Sequence, residues 1–363
     1  MVPTTRCAIV GSGIAALAGY ATLRHGGVRP EEITVLGTHE DPTAAWRARA
    51  EAIRQQRMRS ESDGHLAAAS FPGLAVREAW RELALKPLLQ TAASRYHPRV
   101  DDFLRHAGRV VATSGWDQSF VVRRIERIRA VDGGFELDGE GTFAHVLVAA
   151  GHPGLSRPAE FPDAVHAYEL HEYASKVAII GAGMAAATEW LNALAAGSEV
   201  VSLRRREPLR RPLNVPRPLF SQRGLAPFHA LTDERRAATL RELTAPSYPS
   251  GVDWDRALQT DRFRSVKLNG DRFAGYQVIA ATGFKAGFEH DPLLADLVAE
   301  HDLPAHDRWI VLEPDSTVAA LTDDAHTLSI AGVAGQWAFP AADTIAGAKY
   351  AARAFLRRAC RTR

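Results

Sequence analysis

The stretch VGSGIAA at residues 10–16 is repeated in kind by IGAGMAA at residues 180–186. Each copy follows a short apolar run and precedes a segment with helical periodicity. In this context the first glycine permits a tight turn and the second lets backbone N–H groups approach a pyrophosphate, while the alanine keeps helix and strand close together. The repeat therefore predicts two related dinucleotide-binding units in one chain.

Each glycine turn lies within a strand–helix–strand pattern. The first pattern is predicted as a strand over 6–10, a helix over 14–24 and a strand over 31–36, and the second as 176–180, 184–195 and 198–203. Parallel strands require such a helical crossover. The runs HVLVAAG at 145–151 and QVIAATG at 277–283 close the two units. We therefore predict an α/β fold with two Rossmann-like dinucleotide-binding domains.

The residues expected to contact the nucleotides lie in these turns and just beyond them. The turns supply Gly11, Ser12, Gly13 and Ala16 in the first unit, and Gly181, Gly183 and Ala186 in the second. After the last strand of the second pattern, Arg204, Arg205 and Arg206 stand where a dinucleotide presents its adenosine ribose. A guanidinium there can bind a 2′-phosphate through two hydrogen bonds, so Arg204 and Arg205 favour NADPH over NADH. A solvated basic loop is the alternative explanation.

The equivalent position of the first unit is occupied by Gly37, where a flavin-binding domain normally carries a glutamate for the ribose hydroxyls. Losing such a hydrogen bond to a charged group weakens binding by about 1.5–3 kcal/mol. The neighbouring polar residues could replace it; they are Thr38, His39, Glu40 and Asp41. We take Thr38 and His39 as cofactor-binding candidates.

Composition sets limits on the other functions open to this chain. Its 363 residues carry 44 basic and 42 acidic side chains, so no overall field attracts nucleic acid or a membrane surface. No apolar run reaches the ~18 residues of a membrane span, and the N-terminal residues lack the pattern of an export signal, which predicts a cytoplasmic protein. Cys7 and Cys360 form no CxxC pair, and no metal-spaced His/Cys cluster occurs, so we expect neither dithiol chemistry nor a metal site.

Three further segments carry candidate chemistry. The segment RMRSESDGHL at 57–66 is dense in polar residues, and Asp63 and His65 are weak catalytic candidates there, with a solvated turn as the alternative. Trp337 and Phe339 are either pocket walls or core residues. A C-terminal helix is predicted to start near Pro340, which suits a first helical turn.

Taken together, the motifs resemble a known family, the flavoproteins with two dinucleotide-binding domains. Within it they resemble the class B monooxygenases, which include flavin-containing monooxygenases, Baeyer–Villiger monooxygenases and the N-hydroxylases of lysine and ornithine. The matching pieces are VGSGIAA, AAGHPGLSRP, IIGAGMAA followed by LRRR, AATGF and AGVAG. The family's Gly-Gly-x-Trp motif appears here as Ala44-Ala45-Trp46, and its Phe-x-Gly-x-x-x-His fingerprint only as FPDAVH at 161–166.

The resemblance implies FAD and NADPH as cofactors and an NADPH domain inserted into the FAD domain. It implies a discontinuous FAD domain over 1–160 and 275–363, and an NADPH domain over 161–274. It also implies cofactor contacts for further positions of the matching motifs: Trp46, Gly151, Thr282, Gly283, Gly335 and Gln336.

The implied activity is NADPH-dependent oxidation of a small molecule by dioxygen through a flavin C4a-(hydro)peroxide. Two alternatives stay open. One is a flavin-dependent reductase or dehydrogenase that inserts no oxygen. The other is a nucleotide-binding protein that has kept the scaffold and lost the flavin, for which Gly37, Ala44 and Ala45 are the motivating residues.

Overall fold

The structure, a computed structural model, describes residues 6–58, 73–92, 96–207, 209–211, 215–248, 255, 257–268 and 273–361. Its strands are β1 (Cys7–Val10), β2 (Ile33–Gly37), β3 (Phe120–Val122), β4 (Ile128–Val131), β5 (Gly134–Leu137), β6 (Thr142–Phe143), β7 (His145–Val148), β8 (Val165–His166), β9 (Lys176–Ile180), β10 (Glu199–Arg204), β11 (Leu209–Arg210), β12 (Ser247–Tyr248), β13 (Phe263–Lys267), β14 (Gln277–Ala280), β15 (Ala305–His306), β16 (Trp309–Ile310) and β17 (Thr327–Ile330). Its α-helices are α1 (Ile14–His25), α2 (Ala44–Ala52), α3 (Gly73–Glu82), α4 (Lys86–Ala92), α5 (Val100–Ser114), α6 (Trp116–Ser119), α7 (Met184–Ala195), α8 (Gln222–His229), α9 (Asp233–Leu243), α10 (Pro292–Glu300) and α11 (Ile345–Arg361).

The first unit is built on a parallel five-stranded sheet in the order β17-β7-β1-β2-β3. Every residue of the central strand β1 is buried, and its side chains alternate between two cores. Cys7 and Ile9 pack towards α1 and α11, whereas Ala8 and Val10 pack towards the core that the meander β4-β5-β6 helps to form. A strand covered on both faces needs apolar residues at every position, which explains its unbroken apolar run.

The second unit repeats this arrangement in the order β13-β10-β9-β14-β8, again with parallel strands. Val177 and Ile179 pack into the core that contains α7, and Ala178 and Ile180 face the opposite side of the sheet. Because this sheet lies in the chain between β7 and β17, the second unit is inserted into the first. The predicted α/β fold with two Rossmann-like units is confirmed.

The predicted boundary at residue 275 is wrong in detail. The strand β14 pairs with β9 in parallel, with Gln277 opposite Val177, so it belongs to the second sheet. The chain therefore returns to the first unit only after Ala280. The physical reason is that the closing strand of each unit pairs beside its own first strand, as β7 does beside β1.

The predicted start of the C-terminal helix is also wrong. α11 begins at Ile345, because the Thr344 hydroxyl accepts a hydrogen bond from the Gly347 N–H at 3.2 Å and caps the helix there. Residues 340–343 form turns instead. The sequence pattern gives no sign of α8, because Pro227 lies inside that helix.

The two chain crossings between the units pair with each other. Leu155 and Phe284 form an antiparallel bridge, the Ser156 N–H donates to the Gly283 carbonyl at 2.9 Å, and the Lys285 N–H donates to the Gly154 carbonyl at 2.9 Å. Elsewhere along the contact, the Asn192 amide of α7 donates to the carbonyl of Ile53, just after α2, at 2.9 Å. These contacts hold the two units against each other across a cleft.

Candidate functional site

The first glycine turn leaves the start of α1 open. Gly11 has φ +117°, and a Cβ built on it would lie 2.2 Å from the Ala149 carbonyl oxygen, so only glycine fits. Gly13 precedes the helix with no side-chain cap, and a Cβ built on it would meet nothing within 4 Å. No acidic residue lies in the first turn of α1. Open N–H groups at a helix start form a site for an anion such as a pyrophosphate.

The second turn has the same construction with one difference. Gly181 has φ +145°, and a Cβ there would lie 2.5 Å from the Ala281 carbonyl oxygen. Gly183 precedes α7 without a side-chain cap or an acidic first turn. A Cβ on Gly183, however, would lie 3.3 Å from Pro246, so this turn has a neighbour that the first lacks. The alanines that the motif places after each turn, Ala16 and Ala186, are fully buried between helix and sheet.

The glycine at the end of β2 is explained by Ser12. A Cβ on Gly37 would lie 2.4 Å from the Cβ of Ser12, whose hydroxyl accepts a hydrogen bond from the His39 N–H at 3.0 Å. The serine therefore fills the space beside the end of β2. Of the neighbouring residues, Thr38 and His39 are exposed, and the Asp41 carboxylate is already bound by Arg47 at 2.8 Å.

The three arginines after β10 differ in what they contact. Arg204 is mostly buried, donates to Ser265 Oγ at 2.7 Å and forms an ion pair with Glu207. Arg205 is exposed and pairs with Glu160 at 3.0 Å. Arg206 lines the cleft between the units and has no hydrogen bond or ion pair to any residue that the structure describes. Arg206 is thus the guanidinium most available to an incoming phosphate.

A cavity of about 570 Å³ lies in this cleft. Its lining comes from several parts of the chain. Residues 151–153, 333, 334 and 336 belong to the first unit, residues 243–246 lie between β10 and β13, and residues 282 and 284–288 follow β14. Three of the predicted contacts are among its lining residues, namely Gly151, Thr282 and Gln336. The Gln336 side chain accepts a hydrogen bond from Trp309 Nε1 at 3.3 Å, which fixes the orientation of its amide. Ligand sites commonly have this size and lie between domains.

An aromatic stack forms one wall of the cavity, and sequence analysis did not predict it. His152 stacks on Phe284 with ring centroids 4.0 Å apart, Phe284 stacks on Tyr168 at 5.1 Å, and the Arg49 guanidinium lies 4.7 Å from the Phe284 ring. Burial, together with the nearby charge of Arg49, lowers the pKa of His152 to about 4, so this imidazole is neutral at physiological pH. A signal was present in the repeat, since His152 follows AAG and Phe284 follows ATG at the same place in each unit.

One carboxyl group on the cavity wall has a perturbed pKa. Asp343 lines the cavity and its side chain is open to it, yet the surrounding protein crowds the group and raises its pKa by desolvation. It directly precedes Thr344, the cap of α11.

The remaining predicted residues have other places. Trp46 packs edge-on against Phe103 at 5.2 Å, within the core of the first unit. Trp337 and Phe339 are buried core residues. Gly335 ends the short helical turn that follows β17, where a Cβ would lie 2.8 Å from the Ile330 carbonyl oxygen. Gly283 has φ +74° and accepts hydrogen bonds in the crossing between the units. Asp63 and His65 lie outside the described residues.

Two negative findings apply to the described part of the chain. It contains no group of three or more His, Cys, Asp or Glu side chains that could hold a metal ion. None of its helices is long and apolar enough to cross a membrane.

Comparison with known proteins shows similarity in fold to solved structures. No family model matches the sequence, and no curated protein matches it. Among solved structures, an ornithine N-hydroxylase from Kutzneria sp. 744 is similar with a TM-score of 0.73 and 15% identity, over 99% of this chain and 100% of that one. An ornithine hydroxylase from Pseudomonas aeruginosa gives 0.71 and 16% over the same shares. A bacillithiol disulfide reductase from Bacillus cereus gives 0.61 and 14% over 99% of each chain. The chain therefore has the fold of the two-domain flavoproteins, in agreement with the motif resemblance.

Proposed function

We propose that this chain is an FAD- and NADPH-dependent oxidoreductase that oxidises a small molecule, with dioxygen as co-substrate and the cytoplasm as its location. The observation that carries the proposal is the pair of glycine-turned, uncapped helix starts of α1 and α7, one in each unit. A protein that binds one nucleotide needs only one such start. Two starts suit a chain that brings two dinucleotides together.

The residues present fit FAD in the first unit. The missing Cβ of Gly13 leaves open space at the start of α1, where the N–H groups would bind the pyrophosphate. The Gly37 position offers no carboxylate, so the ribose would be held by Thr38, His39 or the backbone near them. When bound, FAD supplies the redox chemistry, accepting hydride from NADPH and reacting with dioxygen.

The chain's own groups have separate tasks in this proposal. Arg204, Arg205 and Arg206 select the 2′-phosphate of NADPH, with Arg206 the least engaged of the three. The stacked rings of His152 and Phe284 cover one wall of the cavity and keep water away from it. Because the pKa of His152 is about 4, it stays neutral and adds no charge there.

The choice of a monooxygenase over a reductase is supported by the two hydroxylases of similar fold and by the cysteines of this chain. Cys7 is buried in β1 and Cys360 lies in α11, so the described structure brings no two cysteines together for dithiol exchange. The neighbouring hydroxylases act on ornithine according to their names. For this chain we propose a small-molecule substrate of a class considered below.

The deciding experiment is the visible absorption spectrum of the purified protein, followed by NADPH oxidation under air with labelled dioxygen. A flavin spectrum with label incorporated into an organic product supports the proposal. A flavin spectrum with oxidation only when an artificial acceptor is supplied under nitrogen indicates the reductase alternative. Protein that stays colourless after incubation with FAD refutes the flavin assignment altogether.

A further inference from the structure

The cavity between the units contains more basic than acidic side chains. Four basic residues line it, Arg206, Arg241, Lys285 and Arg308, against two acidic ones, Asp291 and Asp343. One member of each set is already engaged inside the protein. Arg241 pairs with Asp307 at 3.2 Å, and the Asp291 carboxylate accepts the N–H groups at the start of α10. The balance left facing the cavity is positive.

Among these groups, Arg308 has the most defined surroundings. Its guanidinium donates to Thr244 Oγ1 at 2.7 Å and lies 4.6 Å from the centre of the Trp309 ring. A hydrogen bond on one side and an aromatic face on the other hold the planar group in one orientation. Within the described residues it forms no ion pair, and that single bond uses one of its five N–H donors. Partial burial lowers the pKa of Arg308, and the nearby carboxylates of Asp307 and Glu289 oppose that shift.

The position of Arg308 separates it from the nucleotide-binding arginines. Arg206 follows β10 of the second unit, the strand end that meets an adenosine ribose. Arg308 precedes β16, whose Trp309 bonds Gln336 of the first unit. Lys285, exposed and without a side-chain partner among the described residues, lines the same cavity next to Phe284. The cavity thus combines fixed positive charge with the aromatic wall of His152 and Phe284.

We propose that Arg308, oriented by Thr244 and Trp309, binds a carboxylate of the substrate, so that this chain acts on small organic acids. The inference rests on the proposed function for the reaction, and adds the substrate class and the residue that selects it. A planar guanidinium matches a carboxylate through two parallel hydrogen bonds. A phosphate of a nucleotide presents the same chemistry, so the test must separate the two sources.

The test measures binding by calorimetry with the purified protein and no turnover. The probes are three carboxylates of increasing size, acetate, benzoate and phenylacetate, each compared with its neutral amide, and NADP⁺ as the nucleotide probe. Variants are Arg308→Gln, Arg308→Lys and Thr244→Val, with Arg241→Gln as a matched control in the same cavity. We expect at least one acid to bind more tightly than its amide. Arg308→Gln should lower the affinity for that acid about 10-fold to 100-fold, and Arg308→Lys should lower it less.

Several results would overturn the proposal. No preference for any acid over its amide in the unaltered protein would do so, as would equal losses in Arg308→Gln and Arg241→Gln. If Arg308→Gln weakens the binding of NADP⁺ and leaves the binding of the acids unchanged, the Arg308 guanidinium binds the nucleotide instead. Because binding is read without flavin reduction, a colourless protein that still prefers acids would refute the proposed function and retain this site. An active flavoprotein whose acid binding is unchanged in Arg308→Gln would support the proposed function and refute this site.

Discussion

Two glycines two residues apart should respond in opposite ways to the same substitution. In Gly11→Ala the new methyl group meets the Ala149 carbonyl oxygen at 2.2 Å, at a backbone φ of +117°. The backbone strain costs about 1–3 kcal/mol and the overlap a similar amount, so we expect a loss of about 2–6 kcal/mol in the free energy of unfolding. That is a large part of the about 5–15 kcal/mol typical of a whole domain.

Gly13→Ala should leave the stability of the protein nearly unchanged and weaken FAD binding. The backbone at Gly13 has φ −87°, which alanine adopts freely, and the methyl group meets no atom within 4 Å. The change in unfolding free energy should stay under about 1 kcal/mol, because alanine is a poorer N-cap but loses less chain entropy. The methyl group would instead occupy the space that we assign to the FAD pyrophosphate. FAD affinity should fall about 10-fold or more.

The assay is urea unfolding of the flavin-free protein, followed by fluorescence, with FAD titrated separately into each folded variant. The reasoning would be falsified if Gly13→Ala bound FAD as well as the unaltered protein while remaining folded, since the open helix start would then not be the flavin site. Equal stability of Gly11→Ala and the unaltered protein would contradict the steric account of the first turn.

Three further predictions follow from the same geometry. Arg206→Ala should raise the Michaelis constant for NADPH more than the Michaelis constant for NADH. The effect should be larger than that of Arg205→Ala, because the Arg205 guanidinium is already paired with Glu160. Equal effects on both coenzymes would count against a 2′-phosphate site. The pKa of His152 is about 4 in the folded protein and about 6.5 in the unfolded chain. Because the unfolded chain binds the extra proton, the free energy of unfolding should fall as the pH drops from about 6.5 to about 4. His152→Phe keeps the ring stack and should lose less stability over that interval when unfolding is measured against pH. Gly37→Glu alone should destabilise the protein, because its Cβ would lie 2.4 Å from the Cβ of Ser12. Adding Ser12→Gly should recover part of that stability, since the backbone nitrogen of residue 12 would still lie 2.8 Å from the new Cβ, and should strengthen FAD binding in a double-mutant titration. Lack of any coupling would show that the two side chains do not compete for space.

Much of the nucleotide-binding scaffold could be predicted because its signals are local. The bounds of β9 and α7 follow directly from apolar periodicity and from the glycine turn before α7. The start of α11 was misplaced because Pro340 imitates a helix start, whereas the actual cap is the Thr344 hydroxyl. α8 was missed because a proline inside a helix reads as a break.

The roles of individual side chains were harder to predict. Three consecutive arginines look equivalent in the sequence, but Glu207 and Ser265 engage Arg204 and Glu160 engages Arg205. A role for Arg308 could not be predicted, because no neighbouring residue in the chain indicates a binding site. Its partner Thr244 lies 64 residues away.

Short residue patterns are enough to predict two strand–turn–helix units, because a tight turn and its glycines are specified within a few residues. The pairing of the two crossings, the stacking of His152 on Phe284 and the position of Arg308 beside the cavity are visible only in the folded chain. Those contacts join residues distant in the chain, and each is fixed by the packing of one unit against the other. No local pattern of residues encodes that packing.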